Sequence, residues 1–160
     1  MNIWGALAGG FVGTVVLTSG LRLATELQMT RIDLPFLLGT AFTNDRRRAA
    51  ALGYGLHFVA GLLFALAYYL IFEAIGESGW LLGAAFGFLH AVFAGTALVN
   101  VLLPIVQPRM GTVDTAANSS PVLEPPGFLL LNYGRSTPVV MVAIHIVYGA
   151  IVGGFTALSG

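Results

Sequence analysis

Residues 53–65 read GYGLHFVAGLLFA and lie inside a longer run, residues 49–72, that carries no charged side chain. About 20 predominantly apolar residues are enough for an α-helix to cross the hydrocarbon core of a bilayer. Stepping through the stretch by four gives Gly53, His57, Gly61 and Ala65, which share one face of a helix. The pattern predicts a membrane-spanning helix whose histidine stands in a column of very small side chains.

Three further runs have the same apolar character, at residues 3–21, 79–103 and 136–160. The chain as a whole is 57% hydrophobic and 9% charged, whereas a soluble domain carries about 25% charged residues. The first run lacks a basic region before it, because Arg22 follows it, so we expect a retained helix rather than a signal peptide. These observations predict an all-α integral membrane protein, residues 1–160, with one domain of four transmembrane helices.

The distribution of arginine predicts the orientation of the chain. There is no lysine, and every arginine lies in the first or third connection or at its edge: Arg22, Arg31, Arg46, Arg47, Arg48, Arg109 and Arg135. Positively charged connections stay in the cytoplasm, so both termini are expected outside, in a bacterial-type inner or plasma membrane. Each arginine-bearing connection also holds an apolar segment too short to span, near residues 34–42 and 127–131, which predicts short interfacial helices.

Composition and motifs exclude several classes of function. Seven basic and seven acidic residues cancel, so no net charge favours a nucleic-acid partner. The chain has no cysteine, which excludes disulfides, iron–sulfur clusters and thiol catalysis. Neither G-x-S-x-G nor H-E-x-x-H occurs, so we expect no enzymatic activity and no catalytic residues.

The two halves of the chain, residues 1–77 and 78–160, show the same order of features. Each has a helix rich in small residues, then an acidic residue followed by proline and an apolar run, then a helix with the pattern His-x-x-x-Gly. Superimposing the last helices aligns His57 with His145. The order predicts two similar hairpins, related as parallel repeats about an axis along the membrane normal.

Glycines four residues apart allow a neighbouring helix to approach to backbone contact. Ten glycines are predicted to act in this way: Gly5, Gly9, Gly13, Gly53, Gly61, Gly83, Gly87, Gly95, Gly149 and Gly153. These columns exceed what one small bundle should need. We therefore expect some of them to face other proteins, as in an accessory subunit of a membrane complex or a homo-oligomer, and the remaining apolar surface to face lipid.

Polar residues inside a membrane are candidates for function, and three interpretations of the histidines remain open. In the favoured interpretation the imidazoles only bond neighbouring helices and no cofactor is held. Candidate partners are then Thr14, Thr96 and Asn100.

The second interpretation is haem b. His57 and His145 would be axial ligands at the same depth, about 14 Å from the cytoplasmic boundary at 1.5 Å rise per residue. The propionates, or lipid phosphates, would meet the arginines Arg46, Arg47, Arg48 and Arg135.

The third interpretation is a metal or proton site formed by His57, His90 and His145, in a small transporter or ligand-binding protein.

Overall fold

A computed structural model describes residues 2–102, 105 and 123–159. The fold is all-helical, as predicted. The α-helices are α1 (Ile3–Glu26), α2 (Leu34–Gly39), α3 (Arg46–Ile75), α4 (Trp80–Phe93) and α5 (Thr137–Leu158). Two further elements are the π segment (Ala94–Leu102), which continues α4, and the 3₁₀ segment (Phe128–Tyr133), which precedes α5.

Four of the helices, where the sequence predicted spans, are long and apolar enough to cross a membrane: α1, α3, α4 with its π segment, and α5. Two helices extend past the charge-free runs that predicted them: α1 continues from residue 21 to Glu26, and α3 is longer than residues 49–72 at both ends. α3 begins at Arg46, so Arg46–Arg48 form its first turn instead of a loop. The reason is local: the side chain of Asp45 accepts a hydrogen bond from the backbone N–H of Arg48 at 2.8 Å and caps the helix.

Neighbouring helices run antiparallel, which places Ile3 and Leu158 at one end of the bundle, here called the terminal end. The arginines of α3 and Arg135 lie at the opposite end, the arginine end. α5 packs along both α1 and α4, and α3 packs against α1 and α2. Arg109 and most of the third connection lie outside the described residues.

Glycine allows α5 to approach its two neighbours at backbone distance. A Cβ placed on Gly149 would overlap the carbonyl oxygen of Gly83 and lie 2.8 Å from the backbone nitrogen of Gly87. On the other side of α5, a Cβ on Gly9 would lie 3.0 Å from the Cα of Val152. Both crossings therefore depend on the absence of a side chain.

The remaining predicted packing glycines also face residues of this chain. Gly53 lies against the backbone of α2, Gly61 lies against Thr14 of α1, and Gly95 lies against Leu129 of the 3₁₀ segment. The other members of the set lie at the two α5 crossings: Gly5, Gly13, Gly83, Gly87 and Gly153. The columns are thus occupied within the bundle, and their number gives no reason of its own to expect a second protein.

α3 and α4 meet through side chains rather than through close backbone contact. Toward the terminal end the space between them is filled by rings. The ring of Phe86 lies 5.8 Å from that of Tyr68 and 5.7 Å from that of Phe72, measured between centroids. Toward the arginine end, beyond the contacts of Phe64 with His90 and Phe93, a cavity lies between the helices.

The two connections at the arginine end are joined to each other. The backbone N–H of Arg31 donates to the carbonyl of Tyr133 at 2.8 Å, and the hydroxyls of Thr30 and Thr137 lie 2.8 Å apart. Arg31 also forms an ion pair of 3.8 Å with Glu124. Burial, helped by the carboxylate of Glu124, raises the pKa of Tyr133 to about 12, so its hydroxyl keeps the proton that it donates to the Glu124 carbonyl.

We predict different effects on stability for two glycine-to-alanine substitutions. Gly149→Ala forces α4 and α5 apart and should lower the free energy of unfolding by about 1–3 kcal/mol. Gly55→Ala, where no neighbour lies within 4 Å, should leave it unchanged or raise it by up to about 1 kcal/mol through helix propensity. Unfolding in mixed detergent micelles measures both. Equal stability of the two variants would contradict the tight crossing.

Candidate functional site

A cavity of about 300 Å³ lies between the four long helices, toward the arginine end. Its wall also includes residues of α2, the first connection and the 3₁₀ segment. Small-molecule pockets in proteins range from about 300 to 1,000 Å³, and an engineered cavity of about 150 Å³ binds benzene. The space is therefore large enough for a small ligand of one or two rings.

Three histidines line this cavity, one from each of α3, α4 and α5: His57, His90 and His145. The sequence predicted a shared depth for His57 and His145, and joined His90 to them only in the third interpretation. Helix packing brings all three imidazoles to one cavity. The rings of His90 and His145 lie 4.8 Å apart, edge to face.

The hydrogen bond of His145 determines which of its two ring nitrogens carries the proton. The side chain is 5% exposed, and Nδ1 lies 2.7 Å from the carbonyl oxygen of Met141, one turn earlier in α5. A carbonyl oxygen can only accept, so Nδ1 carries the proton and donates it. In the neutral imidazole Nε2 then holds a lone pair, and no other described group forms a hydrogen bond with it.

His90 marks the border between the ring-filled half and the cavity. Its imidazole stacks on Phe64 with centroids 3.8 Å apart, and its Nδ1 lies 3.3 Å from the hydroxyl of Tyr68. These contacts hold the ring against α3. His90 is thus positioned by aromatic neighbours and has a hydrogen-bonding partner on α3.

His57 is the most unusual group in the cavity wall. It is 8% exposed, and among the described residues its Nε2 atom is buried with no hydrogen-bond partner. The glycines on either side cause this burial, because Gly53 admits α2 and Gly61 admits α1 to contact with α3. A buried polar atom left unpaired costs about 1–3 kcal/mol, and this nitrogen is itself too deeply buried to be reached by a molecule in the cavity.

The hydroxyls and the amide that were expected to bond the histidines do not do so. Thr14 donates to the carbonyl of Gly10 at 2.7 Å, and Thr96 donates to that of Val92 at 2.6 Å. The side-chain amide of Asn100 donates to two carbonyls of its own π segment. Each group thus satisfies backbone in its own helix, and the prediction of these three as partners was wrong.

The rest of the wall is almost entirely apolar. The hydroxyl of Tyr148 lines the cavity but already donates to the carbonyl of Gly61, which joins α5 to α3. No charged side chain lines the cavity in the part of the chain that the structure describes. The arginines predicted to meet an anionic group are exposed at the end of the bundle, where Arg46 lies over the ring of Phe36 at 5.5 Å.

The floor of the cavity uses backbone that the sequence did not predict. Leu130 is fully buried there and has a φ of 64°, in the left-handed region that costs an L-residue about 1–2 kcal/mol. The π segment supplies another wall, and departures of this kind from α-helical geometry occur frequently at functional sites. Neither feature has a signal in hydrophobic periodicity.

A metal site of three ligands is not formed by the described residues, since no group of three or more His, Asp or Glu side chains is placed to hold a metal ion. This includes the proposed set of His57, His90 and His145, although all three line one cavity. The imidazoles are therefore better described as separate hydrogen-bonding groups on one wall.

The chain matches no protein-family model, no curated protein and no solved structure. A function must therefore be argued from this cavity and its chemistry. The strongest features for that purpose are the apolar lining of the cavity and the assigned lone pair of His145.

We predict that the protein, labelled with ¹⁵N at histidine, shows a protonated Nδ1 and an unprotonated Nε2 for His145 near neutral pH. The Met141 carbonyl imposes this tautomer. Imidazole ¹⁵N chemical shifts measure it, and His145→Gln identifies the signal. A protonated Nε2 with a bare Nδ1 would contradict the assignment.

Proposed function

We propose that this chain is an integral membrane protein that binds a small, uncharged, mostly apolar molecule in the cavity between its four helices. The observation that carries the proposal is an almost wholly apolar space of about 300 Å³ between the helices, with three imidazoles in its wall. A bound molecule with an apolar body would supply the dispersion contacts that the lining side chains otherwise lack. The proposal selects the ligand-binding alternative among the interpretations of the histidines.

The chemistry of the wall argues for an uncharged ligand. Moving an ion from water into an apolar space is costly unless an opposite charge accompanies it. The described part of the wall offers imidazoles and hydrocarbon but no carboxylate or guanidinium. An uncharged molecule with an apolar body meets the wall without that cost.

A second space suggests the route by which such a molecule enters. It measures about 260 Å³, lies between α1, α2 and α3 at the arginine end, and includes Arg22, Asp33 and Tyr54 in its wall. Ile32 lines both this space and the central cavity and is 2% exposed. In the proposed route, movement of the Ile32 side chain connects the two spaces.

The proposed orientation places both termini outside and the arginine end in the cytoplasm, supported by the arginine distribution. α2 and the 3₁₀ segment would then lie at the cytoplasmic interface. Two repeats are supported by the matching order of helices and by the fact that His57 and His145 line one cavity. An accessory subunit or homo-oligomer stays a prediction, for which the glycine columns no longer argue.

Haem b stays a prediction with less support than the small ligand. A cavity at the lower end of ligand-pocket volumes leaves little room for a macrocycle, and none of Arg46, Arg47, Arg48 and Arg135 lines it. We expect protein purified in mild detergent to show no Soret band. A Soret band that disappears in both His57→Gln and His145→Gln would establish the haem interpretation instead.

Filling the cavity tests the proposal directly. Naphthalene is the probe, measured by its fluorescence in nanodiscs against empty nanodiscs of the same lipid. We expect saturable binding that falls at least about tenfold in Ala60→Phe, whose ring enters the cavity. Val59→Phe is the matched control, because its position is 55% exposed on the outer face of α3 and the variant should bind as the parent does.

Naphthalene that does not bind, or that binds equally to both phenylalanine variants, would refute the proposal. Circular dichroism and gel filtration of each variant establish that it is folded. A third variant, Leu98→Phe on the π segment, fills the same cavity from the opposite helix and should behave as Ala60→Phe does.

A further inference from the structure

We infer that the ligand carries a hydroxyl group that donates its hydrogen bond to Nε2 of His145. The inference deepens the proposed function and rests on it. It follows from the juxtaposition, in one cavity, of an imidazole whose free nitrogen is an acceptor and a surrounding wall that is almost wholly apolar.

The role of His145 is determined by its own helix. Because Nδ1 donates to the carbonyl of Met141, the neutral ring offers a lone pair on Nε2. A ligand ketone, ether or ester has only acceptor atoms and would leave that lone pair unsatisfied. The group required at this point is a donor on an uncharged molecule.

The apolar wall narrows the choice of donor. A hydroxyl group meets the lone pair of His145 with one uncharged polar atom, whereas an amine would take up a proton and an amide would bring a second polar group into an apolar space. Nε2 of His57 is fully buried and is not reached from the cavity, so it sets no second requirement. A hydrocarbon leaves the lone pair of His145 unsatisfied.

The volume and the remaining wall complete the description of the ligand. Apart from the histidines, the hydroxyls that line the space, Thr14 and Tyr148, already donate to the carbonyls of Gly10 and Gly61. These two hydroxyls have no donor left to offer and can only accept, so the body of the ligand faces mostly hydrocarbon on its other sides. The class that fits is a lipophilic alcohol or phenol with a body of about one or two rings.

Three probes of nearly equal shape separate hydroxyl recognition from simple filling of the cavity: 2-naphthol, 2-methoxynaphthalene and naphthalene. Each is titrated into the full chain in nanodiscs, with partition into empty nanodiscs subtracted. We expect 2-naphthol to bind about tenfold more tightly than the ether or the hydrocarbon, the difference expected for one well-formed hydrogen bond. In His145→Leu the three affinities should become equal.

Thr156→Val is the matched control variant. It also removes a buried polar group from α5, but Thr156 bonds the carbonyl of Val152 and does not line the cavity. The preference for 2-naphthol should persist in this variant. If His145→Leu does not fold, the ¹⁵N chemical shift of His145 Nε2 in the parent protein tests the same contact. The shift should move to a hydrogen-bonded value when 2-naphthol is added and should not move when either of the other two probes is added.

The outcomes distinguish the two proposals. Equal affinities for all three probes in the parent protein, lowered together by Ala60→Phe, would overturn hydroxyl recognition and leave the cavity as a binding site for apolar molecules. No binding of any probe would overturn the proposed function as well. A preference for 2-naphthol that survives His145→Leu would place the hydroxyl elsewhere and also overturn the inference.

Discussion

The close approach of α5 to both α1 and α4 is the constraint on which the rest of the structure depends. Glycines on facing helices, such as Gly83 opposite Gly149, remove the side chains that would hold the backbones apart. In a lipid environment, where hydrocarbon surrounds every helix, such packing replaces the hydrophobic effect as the source of association. Once α5 holds α1 and α4 at its two sides, α3 can reach α4 only through side chains.

Because α3 and α4 meet only through side chains, the size of those side chains decides whether the space between the two helices is filled or open. Toward the terminal end, large rings such as Tyr68, Phe72 and Phe86 fill the distance between α3 and α4. Toward the arginine end, the small residues Ala60, Gly61 and Ala94 line the same gap. Side chains of that size cannot close it, and a cavity remains where the two connections form its floor. The ring contacts of His90 mark the level at which one half gives way to the other.

The buried polar side chains of this interior are hydrogen-bonded, with one exception. Thr14, Thr96 and Tyr148 each donate to a backbone carbonyl, because an apolar interior offers no water to satisfy them. Among the described side-chain nitrogen and oxygen atoms that are themselves buried, only Nε2 of His57 has no hydrogen-bond partner. An imidazole is too rigid for Nε2 to reach a carbonyl of its own turn as a threonine hydroxyl does. That atom is too deeply buried to be reached from the cavity, so the imidazole that offers a bond to a molecule from outside the chain is His145.

Much of the architecture could be predicted from the sequence, because hydropathy, arginine position and glycine spacing are properties of neighbouring residues along one helix. Four spans, their approximate limits and the glycine faces all follow from such local patterns. Only the tertiary structure showed which helices the glycines join and that His90 shares a cavity with His57 and His145. It also showed that the hydroxyls expected to bond the histidines donate to carbonyls of their own helices. It also decided the π segment and the left-handed backbone of Leu130. These features depend on distances between residues far apart in the chain, and periodicity along a single helix carries no information about such distances.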